Sequence, residues 1–340
     1  MKALIIEPNW LGDTLFTTPA IKAIKENNKD SSLSVLVHSR CLSMLKSNPN
    51  IDEIITLDKM RGAKGFFKKI GLIPQLKSKK FDAVFLFSRS MSHALICALS
   101  GIPQRIGYKT VKRAFLLTKK INPPKKEPHR VEYYMNLVRQ SGIDSNNKDY
   151  ELFLSKQDVQ EAEQILKEAG IGEGEPYFVI NPGGNWAPKR WSKNEFGKLA
   201  DELYKKYNTK VVITGAGKDI KLGEDIKKLC NSKPIILCGK TALKELAAVL
   251  KGAKAVISND SGPMHIAVSQ KAPTVALFGP TDPAITGPYG SGNYTVVQKE
   301  IDCVVPCYVK NCKAYKCMEA ITVADAVEAV EKLLEKGSLK

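Results

Sequence analysis

Asp260, Ser261, Gly262 and His265 stand together in NDSGPMHIA, residues 259–267, between the apolar runs AKAVIS and VSQKAPTVALFG. A strand entering a polar turn, then a helix opened by Gly262, Pro263 and Met264, leaves backbone N–H groups free at the helix start. Proline is tolerated there because the donor it removes would have been unpaired. Those donors and the positive end of the helix can hold a phosphate or diphosphate without a metal. Asp260 and Ser261 can equally serve only as a cap, and His265 as a hydrogen-bonded structural histidine. FGPTDPAITGPYG, residues 278–290, is expected to bring Thr281 and Asp282 beside the same crevice.

Three further loops are rich in polar groups. NPGGNWAPKRW, residues 181–191, carries Lys189 and Arg190, cations able to neutralise the charge that grows on a departing diphosphate. GAGKD, residues 215–219, has glycines that let backbone approach an anion or a base, and Asp219 can accept from ribose hydroxyls. A glycine-rich turn without a ligand fits that stretch as well. Ile220 occupies the place of the third glycine in G-x-G-x-x-G, and no Walker A lysine pattern occurs, so a nucleotide would be bound outside the dinucleotide and P-loop modes. EPNWLGDT puts Asp13 at the amino end of a helix, where a carboxylate can take a proton from a hydroxyl nucleophile or merely cap the helix. No Asp-x-Asp pair stands at a strand end to ligate a metal.

The elements that must position these loops recur in two series. KALIIE, LSVLVHS, IDEIITLD, FDAVFLFS and QRIGY alternate with helical stretches in the first half; YFVINPGG, KVVITG, PIILCG, KAVISN and TVALFG do so in the second. Such alternation predicts parallel sheets covered by helices, with binding loops at the carboxyl ends of the strands. With 340 residues the chain can fill two domains. The expected organisation is an α/β fold of two Rossmann-like domains facing across a cleft: 1–160, a linker region 161–175, a second domain 176–320, and a terminal helix 321–340.

Lys and Arg outnumber Asp and Glu by 52 to 35, a net charge of +17. The excess is concentrated in residues 59–80, which lack any acidic residue, and in 105–130, which hold nine cations and the single Glu127. This points to nucleic acid, an anionic membrane or a phosphorylated substrate. No zinc-finger, helix-turn-helix, RNA-recognition or KH pattern accompanies it, which argues against nucleic acid. No run approaches the roughly 20 apolar residues of a membrane span, no secretory signal opens the chain, and eight cysteines do not make a disulfide scaffold. A cytoplasmic location is expected, with peripheral contact at a membrane face. Cys303, Cys307, Cys312 and Cys317 follow a C-x3-C-x4-C-x4-C spacing that matches neither a standard zinc knuckle nor a ferredoxin run. Reduced thiols, a structural zinc or iron–sulfur site, and two disulfides all fit, with a structural role in each case.

Taken in order, NWLGDTLFTTPAIKAIK, NPGGNWAPKRWS, NDSGPMHIAVSQKAPTVALFGPTDP and GPYG resemble the ADP-heptose:lipopolysaccharide heptosyltransferase family, over essentially the whole chain. The resemblance implies a GT-B glycosyltransferase whose amino domain binds the acceptor and whose carboxyl domain binds the nucleotide sugar. It implies inverting transfer from ADP-heptose to the lipopolysaccharide inner core at the cytoplasmic face of the inner membrane, with no cofactor required, no nucleic acid and no obligate protein partner. By position, Asp13 matches the catalytic base and Lys189 the cation on the donor phosphates, with Arg190 beside it. Asp219 falls near the ribose acid and Thr241 near the adenine contact; Asp260, Ser261, Gly262 and His265 match the diphosphate loop, joined by Thr281. Arg61, Lys64 and Arg113 are expected to face lipid A phosphates and Kdo carboxylates. The PGG…APKRW form resembles members that extend the first heptose more than those that attach heptose to Kdo. Transfer to Kdo, or use of another nucleotide sugar, is the alternative.

Overall fold

The computed structural model describes residues 1–27, 32–58, 70–309, 312 and 314–338, and the chain divides into two units, Met1–Phe153 and Leu154–Lys340. In the first, strands β1 (Lys2–Ile6), β2 (Ser32–Val37), β3 (Glu53–Thr56), β4 (Ala83–Leu86), β5 (Gln104–Tyr108) and β6 (Lys119–Ile121) form one sheet in the order β3-β2-β1-β4-β5-β6. Every pair is parallel. Residues 3–6 and 83–86 are buried throughout because helices cover both faces, which is why these strands read as continuous apolar runs. Chain order reverses between β1 and β4, so the crevice at their carboxyl ends lies under the loop that carries Asp13.

The second unit repeats this plan. β7 (Tyr177–Asn181), β8 (Lys210–Ile213), β9 (Ile235–Ile236), β10 (Ala255–Asn259), β11 (Thr274–Leu277) and β12 (Tyr294–Val297) run β12-β11-β10-β7-β8-β9, all parallel. Its reversal falls between β7 and β10, the strands that feed the Lys189 and Asp260 loops. The two edge strands β6 and β12 carry no strong sequence signal. Lys119 and Lys120 of β6 are exposed, and no residue of β12 is fully buried.

The expected linker 161–175 is corrected by the helix Lys156–Glu168, which lies inside the second unit and packs on the helix Leu243–Lys251. Ser155 and Asp158 form a reciprocal capping box, with Asp158 N–H donating to Ser155 Oγ at 3.2 Å and Ser155 N–H to Asp158 Oδ2 at 2.6 Å. Only Ala162 of this helix is fully buried, so its polarity resembles a linker. The terminal helix, Val323–Ser338, belongs to the same unit and sets Ala326, Ala329, Val330 and Leu333 into its core.

Arg113 is also corrected: it is fully enclosed. Its Nε and Nη2 donate to the Tyr108 carbonyl at 3.1 and 2.8 Å, and Nη1 donates to the Ser88 carbonyl. Gly107 leaves the space, since a Cβ there would stand 3.3 Å from Nη2. Burial pulls the guanidinium pKa down from its usual value, and the group serves as an internal tie between the segments after β4 and β5. Arg61 and Lys64 lie outside the described residues. Replacing Arg113 by Met should leave both carbonyls unpaired and cost about 3 kcal/mol of stability. Denaturant unfolding checks this, and a loss below about 1 kcal/mol would show that the tie is dispensable.

Candidate active site

In the second unit, β10 ends in Asn259, which is fully buried and holds the two ends of the loop after β7. Its Oδ1 accepts the Trp191 N–H at 3.0 Å, and its Nδ2 donates to the Pro182 carbonyl at 2.9 Å. The next residue, Asp260, is 6% exposed. One oxygen, Oδ2, accepts from Lys189 Nζ at 2.5 Å and from Thr281 Oγ1 at 2.6 Å. The loops after β7, β10 and β11 therefore meet at a single carboxylate oxygen. Asp260 was expected in the diphosphate loop; its carboxylate is aimed at a cation and a hydroxyl, where it fixes their positions.

Lys189 keeps 22% of its side-chain surface exposed, so its ammonium retains an accessible side. Trp186, 6.0 Å from Nζ by its ring centre, stacks on Tyr308 at 6.4 Å. Arg190 folds back instead, its Nε donating to the Gly184 carbonyl at 2.8 Å with Nη2 on the same atom. It shapes the turn that carries Lys189.

The helix Gly262–Ser269 begins beside this ion pair. Ser261 holds the N-cap position in extended conformation but makes no side-chain cap bond; its hydroxyl lies 3.3 Å from that of Ser258. The first-turn N–H groups are thus not capped by Ser261. Open space fronts Gly262, where an added Cβ would meet nothing within 4 Å. His265 is buried within this helix. Asp219 is buried too, its Oδ2 accepting from Ala216 N–H at 3.0 Å. A Cβ on Gly183 would come within 2.9 Å of that oxygen, so the glycine is required by close approach. Asp219 is held inward and stabilises the 215–219 turn, while Thr241 is partly exposed ahead of the helix Leu243–Lys251. Lys218 donates to Asn185 Oδ1 at 2.6 Å, linking that turn to the Lys189 loop.

In the first unit, Asp13 occupies the first turn of the helix Leu11–Phe16, whose N-cap is Trp10. Among the described residues its side-chain partner is the Tyr134 hydroxyl at 3.5 Å, and no capping bond from its carboxylate is seen. Burial pushes the Asp13 carboxyl above its ordinary pKa, opposed by Arg130 and the Tyr134 hydroxyl. Glu7, at the end of β1, is 1% exposed; its Oε2 accepts from Thr17 Oγ1 at 2.8 Å, while Oε1 has no partner among the described residues. Burial, with the nearby Asp13 charge, pushes Glu7 well above the usual range despite the Thr17 bond. Glu7, Tyr134, Asn259 and Trp186 were not named from sequence. Only Glu7 carried a signal, an acid directly after an apolar strand; the others gain their roles from partners distant in the chain.

All eight cysteines are free thiols. Cys303, Cys307, Cys312 and Cys317 line one small cavity of about 40 Å³ together with Pro188 and Pro280, which directly precede Lys189 and Thr281. Among the described residues no three His, Cys, Asp or Glu side chains are grouped to hold a metal ion. The four thiols thus gather behind the two loops, Cys303 exposed and the other three partly buried.

The profile of Glycosyltransferase family 9 (heptosyltransferase) matches residues 70–318. The chain is 30% identical to lipooligosaccharide heptosyltransferase 2 of Campylobacter jejuni, over 100% of both chains. It is 29% identical to lipopolysaccharide heptosyltransferase 2 of Salmonella typhimurium, over 85% of each. The solved structure of ADP-heptose lipopolysaccharide heptosyltransferase II from Escherichia coli superposes with a TM-score of 0.83 at 24% identity, covering 99% of this chain and 100% of that one. The two six-stranded parallel sheets thus have the GT-B architecture of those enzymes.

The burial of Glu7 has a consequence for stability. Below its ordinary pKa of 4.5 the carboxyl is protonated folded or unfolded. Above that value the unfolded chain releases the proton while the native site keeps it, so stability falls as pH rises. Glu7→Gln removes this penalty. Its melting temperature relative to wild type should climb as pH is raised from 4 toward 8, and a difference independent of pH would contradict the buried neutral carboxyl.

Proposed function

The chain belongs to glycosyltransferase family 9, the heptosyltransferases, and from that premise we propose that it moves heptose from ADP-heptose onto the first heptose of the lipopolysaccharide inner core, inverting the anomeric centre without a metal. The observation that carries this reading is the convergence of Lys189, Asp260 and Thr281 beside the unblocked start of the helix Gly262–Ser269. A diphosphate seated against those N–H groups has Lys189 within reach of its oxygens. Asp260 holds the ammonium in place without desolvating it fully.

In the reaction, the acceptor hydroxyl gives its proton to the Asp13 carboxylate and its oxygen attacks the anomeric carbon from the face opposite ADP. The bond from that carbon to the β-phosphate oxygen breaks, and the electron pair leaves with ADP. Charge on the departing diphosphate grows only along this coordinate, so Lys189 and the helix start favour the transition state over the bound donor. A base in apolar surroundings is stronger than one in water, and Asp13 has its pKa raised by burial. Thr241 and the turn held by Asp219 supply the surface for adenosine. The names of relatives that act on lipopolysaccharide and lipooligosaccharide support the acceptor class, and a lipid-borne acceptor brings the enzyme to the cytoplasmic face of the inner membrane.

Titrating ADP, UDP and GDP tests the donor: ADP should bind most tightly, and preference for another nucleotide would reject ADP-heptose. Asp13→Asn should abolish transfer while leaving ADP affinity within about threefold; near-normal turnover in the folded variant would remove Asp13 from the chemistry. Lys189→Ala should lower kcat by roughly 10²-fold or more, and wild-type turnover should survive EDTA. Loss of activity to the chelator with recovery by Mg²⁺ alone would overturn metal-free departure of ADP.

A further inference from the structure

Between β5 and β6 the chain runs out and back through residues 109–118, and its side chains are sorted in an unusual way. Arg113, Leu116 and Leu117 are buried, whereas Val111 is 99% exposed and Phe115 is 75% exposed. The loop is well pinned. Lys109 N–H donates to the Ile121 carbonyl at 2.7 Å and Ala114 N–H to the Thr110 carbonyl at 3.0 Å. Arg105 Nε holds the Leu116 carbonyl at 2.7 Å, and Arg105 N–H is bonded to Thr118 Oγ1 at 2.7 Å. Two apolar side chains are therefore displayed to water by a backbone that cannot easily fold them away.

The charge around them has one sign. Lys109, Lys112, Lys120, Lys125 and Lys126 are exposed, and Lys119 is exposed while donating to the Ser141 carbonyl at 2.7 Å. Glu127, the only acid between residues 105 and 130, is paired with Arg130 at 2.9 Å. No helix among the described residues is long and apolar enough to cross a membrane.

We propose that residues 109–120 are a docking wedge for an anionic lipid bilayer, in which Val111 and Phe115 enter the headgroup–acyl boundary and the surrounding lysines lie against lipid phosphates. The charge complementarity selects the occupant: exposed apolar tips in a segment rich in exposed lysines suit a fluid anionic interface, where the tips are buried and the ammonium groups stay solvated. Arg113 takes part only from within, by holding the loop rigid so that little freedom is lost on insertion. The inference deepens the proposed function in one respect, that a lipid-borne acceptor is met at such a surface, yet it is tested without donor or acceptor.

The experiment is co-sedimentation of the full chain with vesicles of phosphatidylcholine containing phosphatidylglycerol, against vesicles of phosphatidylcholine alone, neither containing lipopolysaccharide. Wild type should bind the anionic vesicles only, less tightly as salt is raised. The double variant Val111→Ser, Phe115→Ser should partition roughly tenfold less while keeping its melting temperature and ADP affinity. Replacing Lys109, Lys112 and Lys120 by Ala should weaken binding and flatten its salt dependence. Wild type that ignores anionic vesicles, a double variant that binds as well as wild type, or binding that appears only when lipopolysaccharide is added would each overturn the wedge. None of these results decides whether heptose is transferred.

Discussion

A carboxylate almost removed from water is tolerable only if its charge is met, and Asp260 is such a group. It is met by Lys189 and Thr281, which arrive on loops from two other strands. The strand order of the second unit makes this possible: the reversal between β7 and β10 opens a crevice at their carboxyl ends, and the two loops cross it from either side. Asn259 ties the end of β10 to the Lys189 loop alone, through the backbone at Pro182 and Trp191. The ion pair thus fixes a lysine beside a helix start that Ser261 does not cap. The placement of both loops around one carboxylate oxygen depends on that compensation.

The first unit has the same strand order and puts its polar groups at the equivalent reversal, but it treats charge differently. Glu7 and Asp13 stand near one another with no lysine bound to either among the described residues, and both carboxyls are raised by burial. Strong compensation would lower their proton affinity and weaken a base. One unit thus pairs its buried carboxylate with a lysine, while the other leaves two buried carboxyls whose proton affinity is raised.

Much of this was legible in the sequence because it rests on local pattern. Ten of the twelve strands announce themselves as apolar runs, and Lys189, Asp260 and Thr281 stand out as polar residues at strand ends. Their meeting at one oxygen was not legible, since Lys189 and Thr281 lie 71 and 21 residues from Asp260 on separate loops. Two opposite errors concern polarity. The helix Lys156–Glu168 looks like a linker because it buries so little, although its capping box was present in the sequence as Ser155 and Asp158. Arg113 looks like a surface charge because it lies in a lysine-rich segment, although Gly107 makes room for it inside. Tyr134 reaches Asp13 from far along the chain, a pairing that only the packing of the two helices creates.

The proposed reaction is transfer of heptose from an ADP donor to an inner-core acceptor. Mass-detected transfer with purified protein, ADP-heptose, and lipopolysaccharide acceptors truncated just before and just after the first heptose addresses it directly. A single heptose should be added to the acceptor that already carries one, with ADP released in equal amount. Failure to consume ADP-heptose with either acceptor, while another nucleotide sugar is consumed, would contradict it.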